Sequence, residues 1–280
     1  MLLKYGSLKG IVKKIGIAAM VDSTISHFLD LFSKRFFRLN WMQYDFSDAV
    51  FHSKDIDRWS RYANILKEIL DIKEKGFSIM EMGSGGQGIF EILSPKRSDL
   101  AFFLFDVQKG AFKGLKGAHY VIGDGCRLPF RDKAFDIIVS ADAVEHIPKS
   151  IRHNFFEEAK RVARKKIILT FPMQTNDGEF QGRKYDFIFQ SIYEEIHGTK
   201  ETNTAQHIEA FHPTLEEIKF AFPGAIITGY KNANIWLKYK VVQSKPFIGL
   251  FAGVLYYLFW KKNDDKPPYW GAITVSNSKS

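Results

Sequence analysis

The sequence predicts an α/β protein built on a parallel sheet covered by helices on both faces, and three observations carry that reading. Short apolar runs recur near Ile79, Phe103, Val121, Ile138 and Ile168, with a helical segment from Arg152 to Ala163 before the last of them; alternation of this kind implies parallel strands joined through helices. Three of the runs end in an acid, at Glu81, Asp106 and Asp124, and open sheets of this class bind ligands at the carboxyl ends of their strands. The first run then breaks into glycines, reading FSIMEMGSGGQGIF over Phe77 to Phe90, which is a strand feeding a tight turn into a helix.

Taken in chain order, Met1 to Lys54 is rich in Phe and Lys and reads as an N-terminal helical extension, either packing on the domain or acting as a lid. Its run Ile15 to Val21 follows lysines as a signal peptide would, but Asp22 ends it early and no small-residue cleavage site follows, which favours an amphipathic helix. From Asp55 to Lys75 the residues Ile56, Trp59, Ile65, Leu66, Ile69, Leu70 and Ile72 recur at helical spacing, with Gly76 as the stop. The main domain is expected over 55–280, with insertions at 173–212 and 245–268.

After Pro172 the segment Met173 to His212 is polar, aromatic and irregular, longer than a usual connection. Loops at the ligand end of a sheet commonly carry substrate contacts. Thr214 and Glu217 form a capping box for a helix over Leu215 to Phe222. Strands near Ile226 and over Ala272 to Ser276 bring the total to seven. Between these two lies Pro246 to Trp260, apolar all round and flanked by Lys245, Lys261 and Lys262. It is too short to span a bilayer; it suits either an interfacial helix at a membrane surface or burial in the fold.

A chain of 280 residues is long enough for one α/β domain with additions. The net charge of +9 is spread along the chain, without a basic block interleaved with aromatics, so nucleic acid is not the expected partner. The single cysteine, Cys126, forms no intrachain disulfide, which fits a reducing, cytoplasmic setting.

The glycine turn marks a small-molecule site. Gly83, Gly85 and Gly88 satisfy GxGxxG, a pattern that cradles a dinucleotide pyrophosphate. Glu81 argues against that ligand, because a carboxylate beside a pyrophosphate is repulsive, whereas a cationic ligand reverses the preference. Asp106 stands where an acid accepts hydrogen bonds from both ribose hydroxyls. Further on, VIGDGCRLPF over Val121 to Phe130 puts Asp124 at a strand end, and FDIIVS follows.

With these residues in order, Glu81-Met-Gly83-Ser-Gly85-Gly, Asp106, Gly123-Asp124, Leu128-Pro129-Phe130, Phe135-Asp136 and Glu145-His146-Ile147, the chain resembles the class I S-adenosylmethionine-dependent methyltransferases of the type 11 group. The resemblance covers Phe77 to Pro172; Gln87 stands where many members carry a glycine. It implies a Rossmann-like, mostly parallel seven-stranded sheet whose final strand is antiparallel. It also implies Glu81, Gly83 and Gly85 near the amino acid part of S-adenosylmethionine, Asp106 at its ribose, Asp124 and Gly125 at its adenine, and Ala141 along the channel to the methyl group.

Methyl transfer is an in-line displacement governed by alignment. For a hydroxyl acceptor a proton must leave, and His146 is the candidate base. Asp142, Glu145 and His146 also resemble the ExxEH metal motif of small-RNA 3′-end and some quinone-pathway O-methyltransferases, which needs a further ligand, with His207 as the candidate; the reading adopted takes no metal. His207, His212, Tyr185, Tyr193 and His197 either touch the acceptor or fix the late loop. The expected function is methylation of a small or lipid-linked acceptor, on oxygen. The alternatives are a metal-dependent RNA 2′-O-methyltransferase, a nicotinamide-dependent oxidoreductase and a non-catalytic cofactor-binding protein.

Overall fold

The structure, a computed structural model, describes residues 55–277 except 87, 109–115 and 246–251. The N-terminal extension at 1–54 and the start of the apolar segment 246–260 therefore lie outside the described residues.

The elements run α1 (Asp55–Leu70), β1 (Ser78–Met82), α2 (Gly88–Leu93), β2 (Ala101–Asp106), β3 (His119–Ile122) and β4 (Phe135–Ala141). A 3-10 turn (Val144–His146) leads to α3 (Lys149–Val162), β5 (Ala163–Pro172), α4 (Gly182–His197), α5 (Thr202–Ala210) and α6 (Leu215–Ala221). The chain ends with β6 (Ile226–Asn232), α7 (Ala233–Gln243), α8 (Ala252–Leu255) and β7 (Tyr269–Asn277). All seven expected strands form one sheet in the order β3-β2-β1-β4-β5-β7-β6, with β7 antiparallel to both neighbours. Because the chain moves outward from β1 to β3 and returns at β4, the strand order reverses between β1 and β4. A crevice opens there at the carboxyl ends.

Two apolar layers sandwich the sheet. On α1, Tyr62, Ile65, Leu66 and Ile69 recur at helical spacing and pack with Ile79, Ile137 and Val139 on one face. On α3, Phe155, Phe156, Ala159 and Val162 pack with Met80, Met82 and Ile138 on the other. Strand β4 is buried at every residue, as a central strand covered on both faces must be. Each fully buried aliphatic side chain contributes roughly 1.5–3 kcal/mol to this core.

The structure corrects the sequence reading at four places. Helix α1 ends at Leu70 rather than Lys75, because the Arg97 guanidinium takes the carbonyls of Ile72 (3.2 Å) and Glu74 (2.8 Å) and holds that stretch out of the helix. The segment 173–212 is not irregular: it contains α4, whose Tyr185 and Phe189 pack on Trp236 and Trp270, and α5, capped by the Glu201 carboxylate. The capping box is half formed. Thr214 accepts the Glu217 N–H at 3.2 Å, but the Glu217 carboxylate turns away to Arg152. Finally, 252–260 divides its faces. Ala252 is buried against Tyr239, while Leu258 and Phe259 are 57% and 66% exposed beside Lys261 and Lys262. Among the described residues no helix is long and apolar enough to cross a membrane.

Candidate active site

The turn after β1 is fastened to β2. Gly83 N–H and Ser84 N–H donate to the Phe105 carbonyl at 2.8 and 3.2 Å, and Gly85 N–H donates to Asp106 Oδ2 at 2.8 Å. Gly83 has φ 75°, and a Cβ there would fall 2.5 Å from Ala143 Cβ, so both the backbone conformation and the approach of the β4 loop require glycine. Asp106 Oδ1 accepts the Gln108 N–H at 2.8 Å, which orients the carboxylate at the strand end.

A cavity of about 920 Å³ opens at the carboxyl ends of β1 to β4. Of the residues singled out from the sequence, Gly83, Gly85, Asp106, Asp124, Gly125, Ala141 and His146 all line it. Glu81 is placed differently. It is fully buried beneath the turn, where Oε1 accepts the Tyr62 hydroxyl and Oε2 the Ile89 N–H, each at 2.6 Å, so it braces the turn from below rather than facing the cavity. Three carboxylates, Asp106, Asp124 and Asp142, remain on the wall. Asp142 is the most committed of them: Oδ1 accepts the Tyr230 hydroxyl (2.6 Å) and the Thr170 hydroxyl (3.1 Å), and Oδ2 pairs with Arg61 Nε at 3.1 Å.

The glycine turn and acidic wall fit S-adenosylmethionine. The space beside Gly83 and Gly85 admits backbone approach, and the wall suits a sulfonium and an amino group while repelling a pyrophosphate.

His146 sits at one end of this cavity, exposed on the 3-10 turn, and begins a polar chain running into the protein. Its Nδ1 meets Gln206 Oε1 at 3.1 Å and its Nε2 meets His207 Nε2 at 3.2 Å. The inner edge of the imidazole is desolvated and faces His207, which together lower its pKa to about 4. His207 Nδ1 meets Asp186 Oδ2 at 2.9 Å, and that same oxygen accepts His212 Nε2 at 2.8 Å. The Trp270 indole N–H donates to Asp186 Oδ1 at 2.8 Å. Asp186 is wholly buried, yet despite desolvation the hydrogen bonds and charge of the two imidazoles hold its carboxyl down at about 2. Beside the chain lies Glu145, also wholly buried, whose carboxyl is raised to about 8 by desolvation and then by the charge of Asp142.

The late histidines thus divide. His207 joins His146, and His212 supports Asp186. Tyr185, Tyr193 and His197 do not line the cavity: Tyr185 hydrogen-bonds Asn234, and Tyr193 packs on His197 with ring centroids 4.3 Å apart. Sequence reasoning missed Asp186, Gln206, Trp270, Arg61 and Arg152. Asp186 alone left a signal, an acid inside the apolar run Tyr185 to Phe189.

Comparison with known proteins agrees with the geometry. Residues 80–171 match the family described as Methyltransferase domain. A demethylmenaquinone methyltransferase of Thermotoga maritima is 23% identical over 155 residues, covering 53% of this chain and 65% of that protein, just under two thirds of the relative's length. Among solved structures, the phosphoethanolamine N-methyltransferase 2 of Haemonchus contortus, in complex with phosphomonomethylethanolamine and S-adenosylhomocysteine, superposes with TM-score 0.50 at 15% identity. That match covers 78% of this chain and 52% of the other. A Galdieria sulphuraria protein described as a candidate sarcosine dimethylglycine methyltransferase gives TM-score 0.50 at 15% identity, over 88% of this chain and 98% of its own. At such identities the likeness is one of fold.

Proposed function

We propose that this chain, which belongs to the class I S-adenosylmethionine-dependent methyltransferases, transfers a methyl group from that cofactor to the oxygen of a small or lipid-linked acceptor. The observation that carries the reading is the meeting of the glycine turn, Asp106 and Asp124 on one cavity at the strand-order reversal.

In this reading Asp106 holds the ribose hydroxyls, Asp124 and the backbone at Gly125 hold the adenine, and the Gly83–Gly85 turn admits the amino acid moiety. Glu81 keeps that turn in shape through Tyr62 and Ile89. Ala141, small and 6% exposed, forms the wall along which the methyl meets the acceptor. When bound, S-adenosylmethionine supplies a methyl group on a sulfonium leaving group, and the protein's part is alignment and exclusion of water. His146 stands at the acceptor end, and since Gln206 occupies its Nδ1 and His207 its Nε2, it acts as base once one of these contacts gives way to the incoming hydroxyl. With a pKa of about 4 it is neutral at physiological pH, as a base must be, but it draws weakly on the departing proton. A lipid-linked acceptor is supported by the exposed Leu258 and Phe259 beside Lys261 and Lys262, a composition that suits the membrane interface.

The test is calorimetric titration of the full chain with S-adenosylhomocysteine and, in parallel, with NAD. Saturable binding of the former at micromolar concentration, with no NAD heat, is expected; NAD binding without S-adenosylhomocysteine binding overturns the proposal. Mass-detected methyl transfer into lipid and aqueous metabolite fractions then distinguishes the acceptor classes. Binding of the exposed apolar pair is read separately, by cosedimentation with vesicles containing anionic lipid.

A further inference from the structure

We propose that Glu145, His146 and His207 form a binding site for one divalent first-row transition ion at the acceptor end of the cavity. Their ligand atoms lie within 4.8 Å of one another. Both Glu145 oxygens are buried and, among the described residues, have no hydrogen-bond partner on another residue; His207 Nε2 is 3.8 Å from Oε1. A buried carboxyl without partners is costly in either protonation state, and a cation would displace its proton and supply the missing partner.

The two imidazoles converge on the same place. Asp186 is an acceptor at His207 Nδ1 (2.9 Å), and Gln206 Oε1 is an acceptor at His146 Nδ1 (3.1 Å). Each contact puts the ring proton on Nδ1 and turns the Nε2 lone pair inward. The two Nε2 atoms face one another at 3.2 Å, where two lone pairs repel unless a proton or a metal lies between them. A tetrahedral ion with metal–nitrogen distances of about 2.0–2.1 Å sets two imidazole nitrogens about 3.3 Å apart. Asp186 completes a carboxylate–histidine–metal arrangement, and His212 and Trp270 fix its own orientation. Two imidazoles and a carboxylate suit zinc and its first-row neighbours better than magnesium or calcium. Asp142, three residues before Glu145, is not part of the set, since Tyr230, Thr170 and Arg61 already engage it.

A shared proton between the rings is the competing account. It satisfies the nitrogens and leaves Glu145 without a partner. A bound ion satisfies all three, and one of its ligands, His146, lines the cavity. There the ion, in place of His146 as base, would polarise an acceptor hydroxyl: the oxygen–carbon bond forms, the carbon–sulfur bond of the sulfonium breaks, and the hydroxyl proton leaves to solvent. That catalytic consequence rests on the methyltransferase reading; the binding of the ion does not.

The full chain, stripped with chelator and desalted, is titrated with Zn²⁺ against a chelating dye and with Co²⁺ by visible absorption. One equivalent is expected, with a Co²⁺ ligand-field spectrum that Zn²⁺ abolishes. His146→Ala, at an exposed position, and the isosteric Glu145→Gln should each weaken binding by about 100-fold or more, and Asp186→Asn by about 10–100-fold. S-adenosylhomocysteine affinity, measured on the stripped protein, reports on the cofactor site separately. Substoichiometric uptake by the wild-type chain with no Co²⁺ spectrum overturns the proposal, as does unchanged affinity in folded His146→Ala and Glu145→Gln.

Discussion

Glu81 Oε2 lies 2.1 Å from the point where a Cβ on Gly88 would stand. The same oxygen accepts the Ile89 N–H at 2.6 Å, so the carboxylate that braces the turn also forbids a side chain at the first residue of α2. Gly88 has φ 53°, a second reason for glycine. Gly88→Ala should therefore cost about 2–5 kcal/mol, from overpacking together with the left-handed backbone. Urea denaturation measures the loss. A double variant with Glu81→Ala should lose less than the sum of the two single changes, because they share one clash; strict additivity would show that the brace and the glycine act independently.

Asp106 supports the turn and lines the cavity at once. Its oxygens receive the N–H groups of Gly85 and Gln108, each at 2.8 Å. Asp106→Ala removes these anchors together with the acceptors proposed for the ribose, and should weaken S-adenosylhomocysteine binding by about 1–3 kcal/mol. Asp106→Asn retains acceptor capacity and should lie between the two. Calorimetry decides, and affinity equal to wild type in a folded Asp106→Ala protein would take Asp106 out of the cofactor site.

These residues were legible in the sequence because their signals are local. An apolar run ending in an acid, repeated at Glu81, Asp106 and Asp124, encodes strand and strand end together, and the strands fell where the runs did. The polar chain behind His146 was not legible for the opposite reason. Asp186 acquires its role from His207, His212 and Trp270, which lie 21, 26 and 84 residues away in sequence. On α4 it occupies a position that sequence pattern assigns to solvent. Segment 173–212 misled for a related reason: among its polar residues Asp186, Gln190, Thr204, His207 and His212 are buried, with Asp186 paired to both histidines, so polarity did not signify a loop. Glu81 was recognised as special, but its direction was not. Only the structure shows it pointing beneath the turn at Tyr62 and Ile89.

Cys126 gives a pH-dependent reading of the cavity floor. Desolvation, and then the charge of Asp124, raise its thiol to about 11, and its Sγ lies 3.7 Å from the Ile151 carbonyl. The thiolate is the reactive species, so alkylation by iodoacetamide at neutral pH should run about 100-fold slower than with free cysteine and rise about tenfold per pH unit toward that value. Asp124→Asn removes a cause of the shift and should accelerate the reaction at pH 8. A rate matching free cysteine at neutral pH would contradict the half-buried, acid-flanked setting.

Arg152 ties the acceptor end of the site together. Its side chain is wholly buried: Nη1 pairs with Glu217 at 3.1 and 3.3 Å, and Nη2 donates to the carbonyls of Ile147 (2.9 Å), Ala210 (3.0 Å) and Phe211. One guanidinium thus joins the turn bearing His146, the end of the helix bearing His207, and α6. Burial pulls its pKa downward while Glu217 opposes the shift. Arg152→Met fills part of the volume but leaves three carbonyls and a carboxylate without their donor, and should cost about 3–5 kcal/mol in urea denaturation. Arg152→Lys cannot reproduce the planar fork and should recover only part of the loss. Because the carbonyls of Ile147 and Ala210 flank the two histidines, amide hydrogen exchange in the Arg152→Lys protein should rise at 144–148 and 206–212 while β1 to β5 stay protected. An even rise across the sheet would make Arg152 a general core residue instead.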